Sequence, residues 1–146
     1  MLPTRHVRRL SLLALLAALV TGLASCAGGD RRPVYPVRGK VLFRGVPPAG
    51  ARVQFHPLDD TDPLAPRPGG WVERDGSFRL STYLSNDGAP AGRYAVTITW
   101  PSSEKQADGE NVGPDRLKGK YGDPRTTPLR AQVEAKPNEI EVFHLN

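Results

Sequence analysis

Apolar and polar residues alternate with a period of two in short runs from residue 37 onward, the signature of half-buried β-strands. In the first run Val37, Gly39, Val41 and Phe43 share one parity and Arg38, Lys40 and Arg44 the other, with Leu42 the single break. The second run sets Ala51, Val53 and Phe55 against Arg52, Gln54 and His56. Between them Gly45-Val46-Pro47-Pro48-Ala49-Gly50 predicts a loop joining two neighbouring antiparallel strands. Residues 57–70 are too rich in Pro, Asp and Gly for a core strand and read as an exposed loop. Trp71-Val72-Glu73 and residues 77–82 then flank Arg74-Asp75-Gly76. Asp-Gly between apolar runs predicts a hairpin that turns Phe78 and Leu80 inward.

A second turn cluster, residues 86–92, precedes the cleanest run of the chain. There Tyr94, Val96, Ile98 and Trp100 point inward, Ala95, Thr97 and Thr99 outward, and Pro101 ends the strand. Residues 102–128 read as the longest non-strand stretch, with room in residues 115–121 for one helical turn joining Leu117 to Tyr121. Leu129, Ala131 and Val133 begin a sixth strand, Pro137-Asn138 turns the chain, and residues 140–145 supply a seventh. Ile140 and Val142 share one parity there, Phe143 and Leu145 the other, a conflict that burial on both faces or a bulge resolves. Fifteen Gly and fifteen Pro leave no room for a long amphipathic helix. The expected fold is all-β, and seven short strands at this spacing predict a β-sandwich.

The amino end follows a different pattern. Residues 10–20 form an apolar run, shorter than the roughly 20 residues of a membrane-spanning helix, behind a basic segment with Arg5, Arg8 and Arg9. Leu23-Ala24-Ser25-Cys26 ends this leader and holds the only cysteine of the chain. These four residues resemble the lipobox of bacterial lipoproteins. The resemblance implies cleavage between Ser25 and Cys26 and a diacylglyceryl group, with palmitate, on the Cys26 thiol. It also implies an exported protein held by lipid in the cell membrane or the outer membrane. The expected organisation is a signal peptide over residues 1–25, a lipidated cysteine and flexible tether over 26–34, and one β-sandwich domain over 35–146.

Removing 25 of the 146 residues leaves 121, enough for one domain with a real core. The formal charge of +5 falls to +2 once the three leader arginines are gone, so the basic balance does not point to nucleic acid. With Cys26 lipidated no thiol remains for a disulfide or a cysteine-ligated metal.

Val37-Arg38-Gly39-Lys40-Val41, then Gly45, Pro47, Gly50-Ala51 and Val53-Gln54-Phe55, resembles the opening of carboxypeptidase regulatory-like and transthyretin-like domains. Asp75-Gly76-Ser77-Phe78 and Ala91-Gly92-Arg93-Tyr94-Ala95-Val96 extend the resemblance across residues 35–145. It implies a seven-stranded Greek-key sandwich of prealbumin-like type, used as a non-catalytic structural or binding module at the cell envelope. A small transthyretin-like hydrolase and a carbohydrate-binding domain are the alternatives.

Candidate chemistry is sparse. His6 leaves with the leader, so His56, on an outer face, and His144, near the carboxyl end, are the remaining histidines, and no Gly-x-Ser-x-Gly elbow is present. The Tyr-Arg-Gly-Ser ending of transthyretin-like ureide hydrolases is also absent. No catalytic residue, metal ligand or cofactor is therefore expected. Asp59-Asp60-Thr61-Asp62 lacks the glycine and closing glutamate of a calcium loop and reads as a solvated acidic loop. A Lys40 isopeptide bond to Asn138 or Asn146, as in related adhesin domains, is disfavoured because alternation puts Lys40 on the wet face. Arg38, Lys40, Arg44, Arg52, Arg79, Arg93 and Arg130 make the outer face basic; this reads first as a solvated surface, with contact to acidic glycans or lipid head groups as the alternative. Trp71, Tyr83 and Trp100 are the candidate ligand surface if exposed. An envelope protein or polysaccharide is the expected partner besides the membrane.

Overall fold

The computed structural model describes residues 31–106 and 109–146, without the side chains of residues 103–112. The leader, with Ser25 and Cys26, lies outside the described residues. Pro33–Asn146 forms one compact unit. Its described residues are all-β, with ten strands and no helix: β1 (Val37–Phe43), β2 (Arg52–Pro57), β3 (Gly69–Trp71), β4 (Ser77–Arg79), β5 (Gly92–Thr99), β6 (Pro101–Gln106), β7 (Gly109–Asp115), β8 (Arg130–Val133), β9 (Asn138–Glu139) and β10 (Phe143–Leu145).

One sheet has the order β10-β1-β4, with β9 also paired to β1; a second has the order β3-β2-β5-β8; β6 and β7 pair with each other. The inward side chains of the two larger sheets share one core. Val37, Val41, Phe78, Phe143 and Leu145 come from the first, and Val53, Phe55, Tyr94, Val96, Ile98 and Val133 from the second. Phe55 meets Phe78 across the interior at 6.5 Å between ring centroids, and Phe78 stacks on Phe143 at 6.2 Å. Each such side chain contributes about 1.5–3 kcal/mol by leaving water. Two sheets around one core are consistent with a β-sandwich.

Each of the seven alternating runs overlaps a strand, but the third does so only at Trp71, because β3 begins at Gly69 inside the stretch expected to be loop; other expectations also need correction. β1 and β2 are not neighbours: β1 pairs with β4, β9 and β10, while β2 pairs with β3 and β5. Inward parity is satisfied equally by two strands side by side and by two strands facing each other across a core, so alternation alone does not separate these arrangements.

Residues 102–128 are not free of strand, because β6 and β7 form an additional antiparallel hairpin in that stretch. The helical turn expected over 115–121 is instead a succession of four-residue turns, closed by Lys118 N–H to the Asp115 carbonyl and Lys120 N–H to the Leu117 carbonyl. Leu117 and Tyr121 are nevertheless both buried.

The parity conflict near the carboxyl end resolves as a bulge. Val37 pairs with Asn138, but Val41 pairs with Phe143, so one extra residue lies between β9 and β10. Phe143 and Leu145 turn inward past that point, while Val142 is exposed. The outward face of β5 is also drier than alternation suggests, since Ala95 and Thr97 are buried. β5 is a central strand, and these small side chains sit between the longer Gln54 and His56 of β2 and Arg130 of β8.

Candidate functional site

The turn at Arg74-Asp75-Gly76 forms as expected, with Gly76 at φ +87° and Asp75 Oδ1 accepting from both the Ser77 N–H and its hydroxyl. These bonds hold the Asp75 carboxyl below its ordinary pKa. The two arms then part: β3 joins β2 in one sheet and β4 joins β1 in the other. Gly69 and Ser81 exchange two backbone hydrogen bonds of 3.0 and 2.9 Å and keep the arms tied at their far ends.

A cleft of about 800 Å³ opens over this seam. β2 supplies Arg52, the segment before β3 supplies Arg67, and β3 supplies Gly69, Gly70 and Trp71. β4 supplies Ser77, Phe78 and Arg79; Glu73, Ser81, Ser85 and Asn86 complete the lining. Its volume falls in the range of about 300–1,000 Å³ usual for small-ligand sites.

Three exposed arginines meet one carboxylate here. Arg52 lies opposite Trp71 in the β2–β3 register, and its guanidinium stands 5.9 Å from the indole centroid. Trp71 itself is 58% exposed. Arg79 lies opposite Arg38 in the β1–β4 register, a like-charge cross-strand pair that is unfavourable by itself. Glu139 relieves Arg38 at 3.0 Å. None of Arg52, Arg67 and Arg79 forms an ion pair among the described residues.

The charge of Arg67 also reaches His56, which shares the outward face of β2 with Arg52. Burial lowers the His56 pKa first, and the charge of Arg67 lowers it further. His56 Nε2 lies 2.9 Å from Thr97 Oγ1. The rim at residues 82–87 is organised by Asp87, whose carboxylate accepts the N–H groups of Thr82, Tyr83 and Leu84 at 2.7, 2.9 and 2.8 Å. Desolvation pushes the Asp87 pKa up, but the backbone donors outweigh it and the net shift is downward.

The three aromatic candidates are not brought together. Trp71 lines the cleft; Tyr83 is half-buried in the neighbouring loop and does not line it. Trp100 packs against the core, edge-on to Phe43 at 5.9 Å, with Nε1 donating to the Ala49 carbonyl and the Arg116 guanidinium 4.8 Å from its ring. It is an anchor of the inner packing and not an open platform.

His56 and His144 stand on different sheets, and neither lines the cleft. The Asp59-Asp60-Thr61-Asp62 loop spends its carboxylates locally: Asp59 pairs with Arg93, Asp60 Oδ1 accepts the Asp62 N–H and Asp62 Oδ1 the Leu64 N–H. Lys40 is exposed, and the Asn138 amide is bonded within its own turn to Glu134 and Lys136.

Arg67 lies in a segment without periodicity, so the sequence pattern assigns it no face. Arg52 and Arg79 were visible as outward residues, but nothing in alternation joins strands of two different sheets at one cleft. Comparison with family models, with curated proteins and with solved structures finds no match for this chain.

Proposed function

We propose that this chain is an exported lipoprotein, cut between Ser25 and Cys26 and held through lipid on Cys26 in the cell membrane or outer membrane. Its folded unit is a Greek-key β-sandwich of the transthyretin-like kind, serving as a non-catalytic binding module at the cell envelope. The anchoring part rests on the basic, apolar and small-residue order of residues 5–26. Several chains at about 0.8 kcal/mol per buried methylene hold firmly where a single chain releases.

The observation that carries the binding part is the exposed Trp71 beside Arg52, Arg67 and Arg79 in one cleft. Two further features support the sandwich reading. Counting β9 and β10 as one bulged strand and β6–β7 as an inserted hairpin leaves seven strands. The Tyr94 hydroxyl, near the start of β5, donates to the Pro90 carbonyl at 2.6 Å, the arrangement of the tyrosine corner of Greek-key sandwiches. Neither histidine lines the cleft, which supports a module over a hydrolase.

The test is the intact mass of the protein purified from its membrane. A chain beginning at Cys26 and carrying diacylglycerol is expected. An unprocessed, unmodified amino terminus contradicts the reading.

A further inference from the structure

We infer that the seam cleft binds an acidic polysaccharide, a sugar chain carrying carboxylate or sulfate groups, with Trp71 as its stacking platform and Arg52, Arg67 and Arg79 as its anion clamps. This rests on the proposed binding module and names the ligand class of that site.

The charge of the cleft asks for an anion. Three guanidiniums share a lining with the single carboxylate of Glu73, and none is neutralised by an ion pair among the described residues. Gathering like charges in this way is unfavourable for the free protein, and an anionic ligand removes the cost. Guanidinium is planar and donates two parallel N–H groups, the geometry that matches carboxylate and sulfate oxygens.

The rest of the lining asks for a sugar. Trp71 is more than half exposed, and its indole is a flat apolar surface of the kind on which the C–H face of a pyranose stacks. Ser77, Ser81, Ser85 and Asn86 add neutral donors and acceptors suited to hydroxyl groups. The site is concave, and a cleft between two sheets takes a chain more readily than the broad surface of a bilayer. Because the arginines are exposed, affinity should fall as salt rises.

The full chain in detergent is titrated with polygalacturonate, dextran sulfate and neutral dextran, and with phosphatidylglycerol vesicles. Tryptophan fluorescence and calorimetry supply the readouts. One or both acidic polymers should bind, and neutral dextran should not. Trp71→Ala, Arg67→Gln and Arg79→Gln should each weaken binding by about tenfold, the loss expected for a stacking or charge-assisted contact. Lys118→Gln removes the same charge from an exposed loop outside the cleft, and should change affinity by less than about twofold.

Equal losses in Lys118→Gln and Arg67→Gln would overturn the proposal, because they would show diffuse attraction. So would vesicle binding that weakens in Arg67→Gln and Arg79→Gln while the acidic polymers do not bind, since the lipid anchor inserts alike in every variant and only a loss with the arginines makes the basic patch a membrane contact; so would acidic polymers that fail to bind a normally melting wild-type chain. Circular dichroism melts of each variant separate lost contacts from lost folding. Lipidation of Cys26 is scored on the same preparations. A lipidated protein that binds no acidic glycan overturns this inference and leaves the anchor standing, whereas binding by an unlipidated protein does the reverse.

Discussion

A Cβ placed on Gly70 would stand 2.1 Å from the carbonyl oxygen of Arg79, so β3 passes β4 at a distance only glycine permits. Gly70 and Arg79 both line the cleft in which Trp71 and the three arginines gather. Gly70→Ala drives its Cβ into the Arg79 carbonyl, and it should destabilise the fold by about 1–3 kcal/mol. Gly69→Ala meets only the Val53 carbonyl at 3.3 Å and should cost less. Urea melts of the two variants check this; equal midpoints would contradict it.

Asp87 should matter out of proportion to its exposure. Asp87→Ala leaves the N–H groups of Thr82, Tyr83 and Leu84 without their acceptor, and it should cost about 1–3 kcal/mol. Asp87→Asn keeps one carbonyl oxygen and should lose less. The folded-state pKa of Asp87 lies below its unfolded value. Its contribution is therefore complete above about pH 4 and disappears as pH falls through the folded pKa. Acid melts of wild type and Asp87→Asn should converge in that range, and parallel curves throughout would contradict the assignment.

His56 gives a separate, milder window. Burial first and Arg67 second make it bind its proton less tightly in the folded chain than in the unfolded one. Stability is then fully present above about pH 6.5 and declines as pH falls from there through the folded pKa, where the unfolded chain holds more protons. Melting temperature should decline as pH falls below about 6.5, and His56→Gln should flatten that slope. A slope unchanged by the substitution would show that another group carries it. Arg67→Gln should raise the His56 pKa, readable as a shifted imidazole titration by NMR.

Much of the fold is legible from alternation. Val53, Phe55, Phe78, Leu80, Val96 and Ile98 are all fully buried as their parity predicts, because each lies on a strand with one face on the core. Pairing is not legible in the same way. The parity of β1 and β2 is satisfied whether they lie side by side or face each other, and Pro101 marks the end of β5 without revealing the hairpin after it. The bulge between β9 and β10 was visible as a contradiction in parity, and its resolution needed the β1 register. The cleft was the least legible feature, because Arg67 has no pattern and Arg52, Trp71 and Arg79 become neighbours only through the divergence of β3 and β4.

The anchor is the claim on which the place of this protein in the cell depends, and Cys26→Ser tests it most directly. Cells expressing wild type and the variant are labelled with palmitate and fractionated. The wild-type chain should carry label and sediment with membranes. Cys26→Ser should carry none and should be released from the membrane on washing. Label retained in Cys26→Ser, or a wild-type chain without label, would contradict the account.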